Sequence, residues 1–323
     1  MCSYNSFINK NFLQRSNNII LSIVCTVYRS ELIVPELVSK ISTVCTNLSQ
    51  EFEIILVDDG SPDKSWNEIE KVCKSNCNII GIKLGRNVGQ QLAVTAGLRH
   101  SSGKFTIVMD GDLQNPPSAI PKILSKLQKG FDIVYTTSLS RNSLGNSFSS
   151  MLFWWIMNKI FKERLIPNQL MMRGMTSHYL NIFNTYNEYI RNIVGITHDI
   201  GLNYDIIEVQ NEKRHSGKSN YNFFRRMDLM LDLVLLITNR PLTYLIYGAC
   251  IAILSTTAFG VLTFINFTRF PEMPSGYPTL VFLISFFGSF TLLVLGVIGR
   301  YLSNIYTEVR NRPLFNIEKI INS

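Results

Sequence analysis

Asp110-Gly111-Asp112 sets two carboxylates one residue apart. With a small residue between them, both can direct oxygen ligands at one hard cation, leaving its other positions to water and a diphosphate. A cation held so neutralises charge on a departing diphosphate, a Lewis-acid role. The triplet alone is common in surface turns, so its surroundings decide. Gln114 and Asn115-Pro116-Pro117 follow closely, and a second acidic turn, Asp58-Asp59-Gly60-Ser61-Pro62, lies upstream. Lys213, Arg214, Lys218, Arg225, Arg226 and Arg240 form a basic stretch set against Asp228 and Asp232. Such a stretch attracts phosphates and anionic lipid headgroups. Gly217-Lys218-Ser219 is not a phosphate-binding P-loop, because Glu212 stands where the upstream glycine is required. His100, His178 and His198 have no partner at metal-ligand spacing, and structural roles suit them better.

The elements that must position these groups alternate in type. Residues 19–25, 52–57, 78–84 and 105–109 read as short β-rich apolar runs, while 31–48 and 89–99 have helical spacing. Pro62 after Ser61 suits the first turn of a further helix. Strands alternating with helices predict an α/β fold with a doubly wound, mostly parallel sheet. In such sheets ligands sit at the carboxyl ends of the strands. Both acidic turns fall there.

Beyond residue 240 the composition changes. Between 241 and 299 the charged residues are Arg269 and Glu272 alone. The uncharged runs 242–267 and 279–299 are each long enough for the roughly 20 residues that a bilayer core needs. Basic residues flank both on the outer side, and a Pro/Gly-rich turn joins them. This predicts a two-helix transmembrane hairpin with both ends cytosolic. Residues 223–238 carry apolar side chains at helical spacing, which suits an amphipathic helix on the membrane surface or a core-facing soluble helix. The implied organisation is a polar tail (1–18), a globular domain (19–222), the surface helix (223–240), the two spans (241–299) and a cytosolic tail (300–323). The formal net charge of +8 sits at membrane boundaries, which argues against nucleic acid as a partner. The first 18 residues lack the basic-then-apolar order of a signal peptide. Cys73 and Cys77 have no second Cys or His pair, so the cysteines read as reduced thiols.

Several ordered motifs resemble the family 2 (GT-A) inverting glycosyltransferases, in the branch that transfers sugar to polyprenyl phosphate. They are Val57-Asp58-Asp59-Gly60-Ser61-Pro62-Asp63, Leu84-Gly85-Arg86-Asn87-Val88-Gly89-Gln90-Gln91, Met109 to Pro117, Arg214-His215-Ser216-Gly217-Lys218-Ser219-Asn220-Tyr221, Asn239-Arg240-Pro241-Leu242 and Arg310-Asn311-Arg312-Pro313-Leu314-Phe315. The resemblance implies a nucleotide pocket involving Tyr28, Asp58, Asp59 and Arg86, with Asp59 reading the base. It implies Mg2+ or Mn2+ held with the diphosphate by Asp110, Gly111 and Asp112, with Gln114 as a further ligand. Asp110, Asp112, Arg214 and Lys218 would be the catalytic residues, with Arg214 and Lys218 holding the lipid phosphate. A nucleotide-sugar donor, a polyprenyl phosphate acceptor and membrane lipids are the implied partners, and a homotetramer is allowed. The setting would be the cytosolic face of the inner membrane, in cell-surface glycan modification or assembly.

Some positions depart from the family pattern. Asn115 stands where Asp is frequent, Ser138 where an Arg is frequent, and Asn168 and Leu170 remove both charges of another motif. Two other readings stay open: transfer to a glycan or lipid glycoside, and a non-catalytic module that binds nucleotide sugar, which the losses at Ser138, Asn168 and Leu170 alone support.

Overall fold

The computed structural model describes residues 19–138, 169–188, 200–210, 276–310 and 312–322, with a few single residues besides. Two compact units divide the chain, one built mainly from 1–155, 163–220 and 313–323, the other from 156–162 and 221–312.

In the first unit the alternation of strands and helices is realised. The strands are β1 (Leu21–Val27), β2 (Phe52–Asp58), β3 (Ile79–Leu84), β4 (Phe105–Asp110), β5 (Ile133–Ser138), β6 (Gln169–Thr176), β7 (Tyr204–Val209) and β8 (Ile317–Ile321). The helices are α1 (Val34–Asn47), α2 (Ser65–Ser75), α3 (Gln90–Arg99), α4 (Ile120–Gln128) and α5 (Ser177–Thr185). One eight-stranded sheet runs in the order β7-β5-β6-β4-β1-β2-β3-β8. β1 pairs in parallel with β2 and β4, and β2 with β3. β6 runs antiparallel to both β4 and β5. The sheet is therefore mixed, with a parallel centre.

β1 to β4 are mainly apolar on both faces, as a sheet covered on both sides requires, and the buried Glu53 accepts from Ser22 Oγ at 2.5 Å. α1 lays Val34, Leu37, Val38, Ile41 and Cys45 against one face. α3 covers the other with Ala93, Val94, Ala96 and Leu98. Leu37 and Ile41 are fully buried, and truncating either to Ala costs about 2–5 kcal/mol.

Two expectations need correction within this unit. Pro62 does not open a helix, because α2 begins at Ser65. Asp63 turns the chain there, its Oδ1 accepting from the backbone N of Ser65 at 3.2 Å and its Oγ at 2.6 Å. Nor is 300–323 simply a tail. Ile317–Ile321 pairs antiparallel with β3 and forms one edge of the sheet. Lys83 bridges Glu318 at 2.8 Å and Lys319 bridges Glu70 at 2.5 Å. Asn322 Nδ2 donates to the carbonyls of Cys73 and Ile79 at 2.6 and 3.0 Å.

In the second unit α6 (Tyr277–Val309) contains the expected span 279–299 and continues ten residues further. Over Phe286–Val309 it is long and apolar enough to cross a membrane, the one such helix among the described residues. Leu292, Leu295 and Leu302 are exposed on it. The expected span 242–267 falls outside the described residues, Ile251, Leu254 and Ala258 excepted, as do the surface helix 223–240 and the hairpin that these would form.

Candidate functional site

β1 is where the strand order reverses. The chain builds outward through β2 and β3, then returns to place β4 on the other side of β1. Ligands bind at such switch points, beyond the carboxyl ends of the strands. Register fixes what meets there. Val27 of β1 pairs with Asp58 on one side, and Thr26 pairs with Asp110 on the other.

A cleft of about 370 Å³ opens at this point. Among its lining residues are Tyr28, Asp59, Asp110, Gly111, Asp112 and Gln114. Of the residues singled out in the sequence, these six are brought together. Asp58 lies beneath, fully buried, with Oδ1 accepting from the backbone N of Ser61 at 3.1 Å. Burial raises its pKa. Arg86 is exposed on its turn and does not line the cleft. Arg214, Lys218 and Asn168 lie outside the described residues. Ser138 ends β5 and Leu170 lies in β6, neither among the lining residues.

On the β2 side, Asp59 is committed to the backbone. Its Oδ1 accepts from Val88 N at 2.7 Å and its Oδ2 from Gly89 N at 3.0 Å. Asn87 Nδ2 adds a bond to the Asp59 carbonyl at 3.2 Å. Burial raises the Asp59 pKa, and the two amide donors pull it back. The carboxylate thus anchors the turn that leads into α3, and a base would have to use its remaining lone pairs. Gly60 has φ +64°, and a Cβ there would meet Arg86 C and Asn87 N at 2.5 Å. Only glycine lets the two turns approach this closely.

On the β4 side the chain turns through Gly111 and Leu113. A Cβ on Gly111 would collide with the Thr26 carbonyl oxygen. Leu113 has φ +62°, uncommon for a bulky residue, yet its side chain is 2% exposed. The strained position is held by the core while Asp112 and Gln114 on either side line the cleft. Asp112 Oδ1 accepts from Gln114 N at 3.1 Å. Asp110 Oδ1 accepts from Gln90 Nε2, and its Oδ2 from Asn115 Nδ2 at 2.9 Å. Burial, then the neighbouring Asp112, pushes Asp110 up to about 6, against the pull of Asn115, Arg173 and Gln90.

This turn fits a divalent cation. Asp110 and Asp112 repel one another, and each Asp110 oxygen keeps a further lone pair. Gln114 Nε2 is buried without a hydrogen-bond partner among the described residues. Rotating that amide presents its oxygen instead. The donors are all oxygen or amide, which suits Mg2+ or Mn2+. Among the described residues no group of three or more His, Cys, Asp or Glu assembles around a common point.

Thr26, Ser30, Asn87 and Gln90 also line the cleft and were given no role from sequence. Asn87 and Gln90 flank Gly89 at the start of α3, a position that the strand-to-helix reading could have flagged. Arg173 was also missed. It is 2% exposed, with Nε donating to the Met171 carbonyl at 3.1 Å and a favourable interaction with Asp110.

Residues 22–182 match the model of Glycosyl transferase family 2, a stretch running from β1 into α5. Similar solved structures include glucosyl-3-phosphoglycerate synthase from Mycobacterium tuberculosis, in complex with Mn2+, uridine diphosphate and phosphoglyceric acid. It is 14% identical over 68% of this chain and 76% of that one, with a TM-score of 0.47. Mannosyl-3-phosphoglycerate synthase from Rubrobacter xylanophilus is 14% identical over 70% and 74%, with a TM-score of 0.47. A 4-diphosphocytidyl-2C-methyl-D-erythritol synthase from Anaerococcus prevotii is 13% identical over 66% and 100%, with a TM-score of 0.44.

Proposed function

We propose that this glycosyltransferase, with its family 2 domain at residues 22–182, moves a sugar from a nucleoside diphosphate to a polyprenyl phosphate at a membrane surface. The observation that carries the donor half is the cleft at the end of β1, which Asp110, Asp112 and Gln114 line together with Tyr28 and Asp59. The acceptor half is supported by the exposed apolar length of α6 and by the basic stretch around Arg214 and Lys218.

In this reading the nucleoside sits between Tyr28 and the turn that Asp59 anchors. Asp110, Asp112 and Gln114 would hold Mg2+ or Mn2+ beside the diphosphate. Bound there, the cation supplies charge neutralisation for the departing nucleoside diphosphate. The acceptor needs little activation. A phosphate monoester has a second pKa of about 6 and is largely ionised near neutral pH. Arg214 and Lys218 orient it toward the anomeric carbon, a contribution of positioning and electrostatics. One phosphate oxygen bonds to that carbon as the bond to the diphosphate oxygen breaks, and the leaving group takes the electron pair. Attack from the opposite face inverts the anomeric configuration.

The test incubates membranes containing the full chain with undecaprenyl phosphate, Mn2+ or Mg2+ and a panel of labelled nucleotide sugars. A lipid-extractable labelled product that requires both the cation and Asp112 is expected. Label that reaches only water-soluble glycan moves the acceptor to another class. Absence of a lipid-linked product with every common donor overturns the proposal.

A further inference from the structure

Tyr28 and Arg29 are neighbours on the turn that leaves β1, and both are exposed. Tyr28 lines the cleft, whereas Arg29 is not among its lining residues. The Arg29 guanidinium lies over the Tyr28 ring, 5.4 Å from its centroid. Adjacent side chains on an extended strand point to opposite faces, so this stack needs a bend between them. The bend is residue 29 itself, whose φ of 52° is left-handed and uncommon for a long side chain. Its surroundings hold it there. Arg29 N donates to Ser61 Oγ at 3.2 Å, and Ser30 N donates to the Oγ of the buried Ser65 at 2.9 Å. Ser30 Oγ donates to the Tyr28 carbonyl at 3.1 Å and closes the turn. Ser61 follows Asp59 and Gly60, so the acidic turn after β2 also sets this bend. Among the described residues no carboxylate pairs with the Arg29 guanidinium.

We propose that Arg29 is a positioning residue: stacked on one face of Tyr28, it holds the ring so that the other face receives a planar nucleobase. This rests on the nucleotide-sugar reading of the cleft and adds to it a residue from outside the lining. A tyrosine as exposed as Tyr28, at 43%, is otherwise free to rotate, and ordering it on binding costs affinity. The attraction between the cation and the ring settles it beforehand. Backbone strain held in place by several hydrogen bonds gathers at ligand clamps, and the bend at Arg29 has that character. Ordering one such side chain in advance is worth about 2- to 10-fold in affinity.

The experiment measures binding of ADP, CDP, GDP and UDP to the purified full chain with Mn2+ by calorimetry, and folding by thermal melting. Wild type should bind at least one of them. Arg29→Asn should bind it about 2- to 10-fold more weakly, yet melt at or above the wild-type temperature, because Asn accepts the left-handed region more readily. Arg29→Lys keeps a cation near the ring and should recover part of the loss. Tyr28→Leu should bind more weakly than wild type, and adding Arg29→Asn to it should cost nothing further. Wild-type affinity in Arg29→Asn overturns the proposal. A loss matched by a lower melting temperature also overturns it, since the residue would then be merely structural. An equal loss from Arg29→Asn in the Tyr28→Leu background would place Arg29 on the ligand itself and overturn the action through Tyr28. Absence of binding by wild type with all four nucleotides overturns the underlying nucleotide reading instead.

Discussion

On one side of β1, Asp59 gives both carboxylate oxygens to the backbone N–H groups of Val88 and Gly89. On the other side, Asp110 gives its oxygens to the side-chain amides of Gln90 and Asn115, with Asp112 as a neighbour of like charge. Both turns follow strands that pair with β1, and both line the same cleft. Backbone donors belong to the fold and cannot rotate away, so Asp59 maintains the shape of the turn into α3. Side-chain donors can exchange for a ligand, and repulsion between Asp110 and Asp112 favours taking up a cation. Acidic turns of similar appearance thus divide into one that builds the cleft and one that, in the proposed function, does its chemistry.

The largest break in this division comes from Asp112→Asn. Sugar transfer from a labelled donor should fall about 10³-fold, some 4 kcal/mol of transition-state stabilisation, while the urea midpoint stays near wild type. Asp59→Ala should act through stability. It strips the acceptors from two backbone N–H groups and costs roughly 2–4 kcal/mol, measured by urea denaturation of the full chain in detergent. Gly111→Ala forces a Cβ onto the Thr26 carbonyl. An overpacking cost of about 1–3 kcal/mol is expected, with transfer activity falling further than stability because the Asp110–Asp112 turn must shift. Lys319→Ala, remote from both turns, removes the exposed pair with Glu70. It should change stability by no more than about 1 kcal/mol and leave transfer unaltered. A larger effect would mean that β8 contributes to the cleft through Gly85, whose N donates to the Asn316 carbonyl at 2.9 Å.

The parallel centre of the sheet was legible because β1 to β4 are short runs rich in apolar residues, each ending in a polar turn. Asp110, Asp112, Asp59 and Tyr28 could be placed near one another for the same reason: strand ends at a switch point converge. What hydrogen-bonds to each carboxylate was not legible. Val88 and Gly89 reach Asp59 through backbone groups that every sequence possesses, and Gln90 meets Asp110 only through the fold. β8 was missed because its partner β3 lies more than two hundred residues away and its five residues show no clean alternation. Arg173 was hidden for a related reason, since a single charge within an apolar strand does not announce its burial. In the apolar region the loss of charge marked the span in α6, yet not its end. Helical spacing continues past Arg300 to Val309.

The most direct test compares Asp59→Asn with Asp112→Asn in steady-state transfer, with donor, Mn2+ and undecaprenyl phosphate all saturating. Loss of kcat in Asp112→Asn, with Asp59→Asn changed mainly in donor KM and stability, is the expected result. Equal loss of kcat in both variants, or none in Asp112→Asn, would contradict the division between a turn that holds and a turn that reacts.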